Sequence, residues 1–125
     1  MKLKVIPGKF SVCKLASFSG IDLEKPFVFT GGTDEEKSLV CPTALVPQNV
    51  LEREDNWRAF RIEGVLDFSL VGILAKISSC LASRGIGIFA ISTFNTDYVF
   101  TKEGDFAYAL DALHEEGHSI DVGDT

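Results

Sequence analysis

The sequence predicts an α+β protein, on three observations. Two stretches in the second half carry apolar residues at helical spacing, short alternating or apolar runs surround them, and the first half reads almost entirely as strand and turn. Arg58 to Gly64 alternates polar and apolar residues as a half-buried strand does. Asp67 and Ser69 are good helix caps, and the helix they open runs to Arg84. Ile73, Ile77, Cys80 and Leu81 share one face of it, with Lys76, Ser79 and Ser83 on the other, and Gly85 is the expected stop. Ile86 to Thr93 is nearly all apolar and rich in β-branched residues, the pattern of a central strand. Asn95-Thr96-Asp97 is a turn, and Tyr98 to Thr101 returns as the hairpin partner. A second helix covers about Asp105 to Glu116, with Phe106, Ala109, Leu110 and Leu113 on one face. Gly117 ends it, and Ser119 to Val122 supplies a last strand. The order β-α-β-β-α-β is the split ferredoxin-like unit, with both helices on one face of a four-stranded antiparallel sheet.

The first half lacks helical periodicity. Phe10 to Leu15 alternates, Pro26 to Thr30 is a second strand, and Gly31 to Glu35 is a turn. Ser38 to Cys41 is a third strand, and Thr43 to Pro47 has room for one helical turn. Glu52 to Asn56 reads as a solvated charge run in a surface loop. The chain therefore divides into an abbreviated, mostly β half over residues 1–60 and a β-α-β-β-α-β half over residues 61–125. Each is too small to be comfortable alone, so they are expected to pack together.

Composition narrows the function. The 125 residues are 46% hydrophobic and 24% charged, as in a folded domain. The net charge of −6 is spread without a basic cluster, which argues against nucleic acid and anionic lipid as partners. Apolar runs fall far short of the roughly 20 residues that cross a bilayer. Met1 to Ile6 alternates lysine with apolar residues and then meets Pro7-Gly8, which reads as mature chain rather than a signal peptide. Cys13, Cys41 and Cys80 are widely spaced and without a CxxC pair. They are expected to be reduced, unligated thiols in a cytoplasmic protein, with no metal and no cofactor.

Two patterns imitate nucleotide sites. Gly31 to Ser38 ends in Lys37-Ser38, but Glu36 replaces the glycine before the lysine, and Asp34, Glu35 and Glu36 would repel phosphate. Gly85-Ile86-Gly87 precedes a strand, whereas a dinucleotide fingerprint follows one. No serine stands in a nucleophile elbow, and His114 and His118 flank a helix end, where a cation suits the dipole. No catalytic set emerges.

Two other segments hold more polar chemistry than their turns need. Leu66 to Ile73 is a strand-to-helix transition whose free backbone N–H groups suit a carboxylate, and Gly72 permits close approach. The alternative is that Ser69 or Asp67 merely caps the helix. Ala90 to Asp97 ends a strand with Ser92, Thr93, Asn95, Thr96 and Asp97, able to receive an ammonium or to form a hydroxyl-rich hairpin.

These segments carry a resemblance. Leu66-Asp67-Phe68-Ser69-Leu70-Val71-Gly72-Ile73-Leu74, followed by Phe89-Ala90-Ile91-Ser92-Thr93-Phe94-Asn95-Thr96-Asp97-Tyr98, is similar to an ACT domain. More narrowly, the chain resembles small bacterial ACT proteins related to the animal cytosolic arginine sensor. Thr33 to Pro42 is similar to their abbreviated first half. The resemblance implies paired ACT units whose joined surface holds a free amino acid. It carries ligand contact over to Ser69, Leu70 and Gly72, to Ile91, Ser92, Thr93, Phe94, Thr96 and Asp97, and to Thr33 and Ser38. The sensor has tandem copies of this arrangement, whereas 125 residues hold one, so its partner and its arginine preference do not transfer.

The expected function is a regulatory, non-enzymatic protein binding an amino acid or similar small zwitterion where its halves join. The alternative is a ligand-free module that forms homodimers or docks a partner protein. Chelator and reductant are expected to leave the melting temperature unchanged; a stoichiometric metal, or a large loss on reduction, would contradict the reading of the cysteines.

Overall fold

The computed structural model describes residues 1–63 and 72–123. Its elements are β1 (Lys2–Leu15), β2 (Phe29–Gly32), β3 (Lys37–Pro42), a single 3-10 turn (Thr43–Leu45), β4 (Val50–Ile62), α1 (Ile73–Ser83), β5 (Ile88–Ser92), β6 (Asp97–Lys102), α2 (Glu103–Glu115) and β7 (Ser119–Asp121). Two compact units result, one of Met1–Pro7 with Arg58–Thr125 and the other of Gly8–Trp57. Met1–Pro7 thus groups with the second half of the chain. The reason is burial, since Leu3 and Val5 join Phe60, Ile62, Val99 and the helix residues Ile77, Leu81, Phe106 and Leu113 in one core.

In the larger unit the strand order is β1-β4-β6-β5, with β7 pairing β1 on its other side. The expected α+β class and ferredoxin-like frame hold, with one difference of connection. The first residues of the chain occupy the place beside β4 that a domain made of residues 61–125 alone would give to its last strand. Ser119–Asp121 instead pairs parallel to Lys2–Lys4, one position further out. Both helices carry the expected faces. Ile77 and Leu81 of α1, and Phe106, Ala109, Ala112 and Leu113 of α2, are buried, while Lys76 and Ser83 face solvent.

Two expectations are corrected. The apolar run from Ile86 was expected to be a central strand, but β5 ends the strand order beyond β6, and its residues are half-buried or exposed. It is apolar on both faces because Ile88 packs towards the helix-covered core while Phe89 stacks on Phe100, with centroids 4.6 Å apart. Glu52 to Asn56 was expected to be a loop and is instead part of β4, beside β1. Asp55 there accepts a 2.5 Å bond from the hydroxyl of Ser11, which is fully buried on β1. Since that proton goes to Asp55, Thr43 is the donor in its own 2.9 Å bond to Ser11.

The smaller unit has strand order β2-β3-β1-β4, with a buried cluster of Cys13, Leu15, Leu39 and Cys41. Each long strand has a left-handed residue beside the boundary between units, Gly8 at φ 87° on β1 and Asn56 at φ 69° on β4. Glycine adopts this conformation freely, and asparagine tolerates it better than most side chains. Asn56→Gly should therefore be neutral or slightly stabilising in denaturant unfolding. Asn56→Val should cost about 1–2 kcal/mol, the penalty of a left-handed L-residue; equal effects from both would show the conformation to be unimportant.

Of the two histidines, only His114 lies in the last turn of a helix. His118 has a buried Nδ1 without a hydrogen-bond partner, and its pKa is lowered by burial and then by the α-ammonium of Met1. An imidazole whose pKa falls on folding stays neutral in the fold, so the unfolded chain takes up the proton first. The stability that depends on neutral His118 is present above its unfolded pKa of about 6.5 and is lost as pH falls below it. Melting temperatures at pH 7.5 and 5.0 should diverge in the native chain and converge in His118→Gln.

Candidate functional site

The hairpin between β5 and β6 brings together most of the expected ligand residues. Ser92 pairs with Asp97 and Ile91 with Tyr98, and Thr93 to Thr96 close the turn. The Thr93 backbone N–H donates to the Thr96 carbonyl at 2.8 Å, as does the Thr93 hydroxyl, while the Thr96 N–H donates to that hydroxyl at 3.3 Å. Thr96 is buried, and its hydroxyl donates to the Ile62 carbonyl at 2.7 Å, tying the turn to the end of β4. The two threonines thus spend their hydroxyls on the frame of the turn.

Ser92 and Asp97 are used differently. The Ser92 hydroxyl donates to Asp97 Oδ1 at 2.6 Å, outside the turn's backbone ladder. Among the described residues, Asp97 closes no backbone N–H of the turn, the task an aspartate in a hairpin usually performs. Strand alternation puts Ser92 and Asp97 on the face of Ile88 and Val99, which is the face covered by α1 and α2. Phe94 stands at the tip, 85% exposed.

The other expected contacts divide. Ser69 and Leu70 lie outside the described residues, as does the cap expected at Asp67 or Ser69. Gly72 is the N-cap of α1 at φ 88°, and among the described residues no side chain caps that helix. It begins an open groove of about 620 Å3 along α1, past Lys76, Ser79 and Cys80 to Glu116 and His118. Thr33 and Ser38 belong to the smaller unit. Thr33 closes the β2–β3 turn through a 2.9 Å N–H bond to the Glu36 carbonyl, and Ser38 donates to Glu36 Oε1 at 2.6 Å.

An internal repeat of 60 residues underlies both turns and went unread in the sequence. Phe29, Thr33 and Leu39 stand 60 positions before Phe89, Thr93 and Val99, and Gly32 pairs with Lys37 as Ser92 pairs with Asp97. The closing bonds of the threonine recur, from Glu36 N–H to the Thr33 hydroxyl at 3.1 Å. The paired side chains do not recur, because glycine and lysine stand where serine and aspartate stand. Comparing the chain with itself at that spacing is the signal that finds it.

On the opposite face from Asp97, Arg61 makes a cluster that sequence reading also missed. Its Nη1 donates to the Tyr98 hydroxyl at 3.0 Å and its Nε to Glu63 Oε2 at 3.2 Å. The Tyr98 bond is the main cause holding the Arg61 guanidinium above its usual pKa. Arg61 and Glu63, two apart in a strand, were readable as a same-face pair.

The three cysteines are free thiols. Burial raises the pKa of each, that of Cys41 to about 11 with a further push from Cys13. Among the described residues no group of three histidine, cysteine or acidic side chains is placed to hold a metal ion, and no helix is long and apolar enough to cross a membrane.

The ACT domain model matches residues 52–115. A crystal structure of a protein from Agobacterium tumefaciens is 31% identical, covering 99% of this chain and 94% of that one, with a TM-score of 0.86. The fold also matches the regulatory subunit of aspartate kinase from Thermus thermophilus at 13% identity, covering 92% of this chain and 96% of that one, with a TM-score of 0.61. Aspartate kinase from Clostridium acetobutylicum, an allosteric enzyme, matches at 16% identity and a TM-score of 0.65, over 90% of this chain and 33% of that one. A search of curated proteins found no match. With a matching model over half its length and a relative this similar over nearly all of it, the chain belongs to the ACT domain family.

Proposed function

We propose that this chain is a cytoplasmic, non-enzymatic regulatory protein that binds a free amino acid or a similar small zwitterion. The observation that carries the reading is the Asp97 carboxylate. It is held by Ser92 on the helix-covered face, while the threonines close the turn without it. A carboxylate so placed and so little used suits an ammonium, with strand-end carbonyls around Ile91 completing its shell. The ligand carboxylate would meet backbone N–H groups of Ser69, Leu70 and Gly72, which precede α1 in the sequence. Thr93 and Thr96 act as the frame, Phe94 covers the ligand, and Thr33 and Ser38 are the contribution of the abbreviated half, where the family resemblance puts one ligand shared by both halves. The narrower likeness to bacterial relatives of the animal arginine sensor, and the output of binding through a second copy or a partner protein, belong to this same proposal.

Screening the twenty amino acids by thermal shift should find at least one that raises the melting temperature, since a ligand of the native state alone must do so. Asp97→Asn should then weaken its binding about tenfold or more, with stability changed by less than about 1 kcal/mol, because a charge-assisted bond is lost and the turn is kept. Ser69→Ala should weaken binding less. Thr96→Val gives the contrasting result: it strands a buried carbonyl and should cost about 1–3 kcal/mol of stability. If Asp97→Asn destabilises the fold and leaves affinity intact, the carboxylate is structural and the reading fails.

One observation favours the second reading, a ligand-free dimerisation or docking module. Phe94 projects from the end of β5, the last strand in the order. Should no amino acid shift the melt while light scattering finds a dimer that Phe94→Ser dissociates, that reading replaces the first.

A further inference from the structure

The smaller unit contains a pocket of its own, of about 100 Å3. Leu39 and Cys41 of β3 form its floor, each 1% exposed. Ile21 and Val28 from the segment between β1 and β2, and Leu45 from the 3-10 turn, form its walls. The space has a simple origin. In the larger unit two helices cover the sheet, whereas here a segment without regular helix and one 3-10 turn cover it, leaving part of that face unfilled. An aliphatic lining offers water almost no hydrogen bonds, so such a space favours an apolar occupant; a cavity of ~150 Å3 with a similar lining takes up benzene. At about two-thirds of that size, this one suits a branched aliphatic group of about four carbons.

The rim supplies the rest of the specificity. Asp22 and Lys25 both line the pocket. The Asp22 carbonyl accepts the Lys25 N–H at 3.3 Å, and Asp22 Oδ1 accepts the Glu24 N–H at 3.0 Å, which fixes this carboxylate in a tight turn with its second oxygen left over. Lys25 forms no ion pair among the described residues. The segment is also held firmly further on. Phe27 sits in the left-handed region at φ 64°, a conformation costly for so large a residue, with its ring edge-on to Phe10 at 6.3 Å. One acidic and one basic group at the mouth of an aliphatic pocket complement a molecule with an ammonium, a carboxylate and a branched hydrocarbon tail.

We infer that this pocket binds a branched-chain aliphatic amino acid, its tail on Leu39 and Cys41, its ammonium at Asp22 and its carboxylate at Lys25. The site is separate from Asp97 and does not depend on the function proposed above. The test is a titration of the whole 15N-labelled chain with leucine, followed by two-dimensional NMR. Saturable shifts are expected at Ile21, Val28, Leu39 and Cys41. 4-Methylpentanoate, which lacks the ammonium, and 3-methylbutylamine, which lacks the carboxylate, should each bind about tenfold or more weakly. Cys41→Ile fills the void and should abolish those shifts while leaving the melting temperature equal or higher. Lys25→Gln, on the exposed rim, should weaken leucine about tenfold with the melt unchanged. The inference is overturned by the absence of saturable shifts at these residues up to about 10 mM leucine, by analogues binding as well as leucine, or by an undiminished response in Cys41→Ile. A leucine response confined to Ser92–Asp97 would support the proposed function and overturn this one.

Discussion

Much of the larger unit depends on the end of β4, where Ala59, Phe60 and Ile62 are all fully buried. Phe60 meets the ring of Phe106 on α2, with centroids 6.5 Å apart, and Ile62 enters the same core as Ile77 and Leu81 of α1. The backbone of the same strand anchors the hairpin, because the Ile62 carbonyl is the acceptor for Thr96. Each large side chain buried here contributes about 1.5–3 kcal/mol, and the buried bond from Thr96 to Ile62 about 1. The packing therefore sets stability, and the bond sets position. Without it, the turn beyond Ser92 and Asp97 would lose its side-chain tie to the end of β4.

The helices were legible because helical amphipathicity is a property of the local sequence. Ile77, Leu81, Phe106, Ala109 and Leu113 are where a period of 3.6 puts buried residues. The strands were legible where one face is buried. Phe10 to Leu15 was readable on that ground and Tyr98 to Thr101 from the turn before it, and Glu52 to Asn56 was not. In that part of β4 the residues are exposed apart from Asp55, so no alternation is printed on the sequence. Its strand character comes from backbone pairing beside β1 and from one long-range bond, Asp55 to Ser11 across 44 positions. β5 misleads in the opposite sense. An apolar run normally marks a central strand, but here it serves two different contacts, a core on one face and the Phe100 ring on the other.

The grouping of Met1–Pro7 with the second half was hidden for a related reason. Leu3, Val5 and Ile6 are plainly apolar, yet nothing local says which core they join, and the pairing of Lys2–Lys4 with Ser119–Asp121 spans nearly the whole chain. Among the candidate ligand residues, composition alone picked out the hairpin, but it could not sort the hydroxyls by task. Ser92, Thr93 and Thr96 looked equivalent as hydroxyls beside Asp97. Geometry separates a pair that builds the turn from a pair that stands outside it.

The repeat at 60 residues explains why that separation exists. Thr33 and Thr93 make the same closing bonds in both units, so the frame of the turn is a property of the repeated scaffold. A frame that is satisfied by its own threonines leaves the flanking strand-end pair unconstrained by folding. That pair is Gly32 with Lys37 in one unit and Ser92 with Asp97 in the other. Their change of sign costs the turn nothing, because neither pair closes it. What differs is the charge offered at the strand end, cationic in the smaller unit and anionic in the larger. The scaffold is thus conserved in form within one chain while its two strand ends are free to take on different chemistry, and only the acidic one is suited to an ammonium.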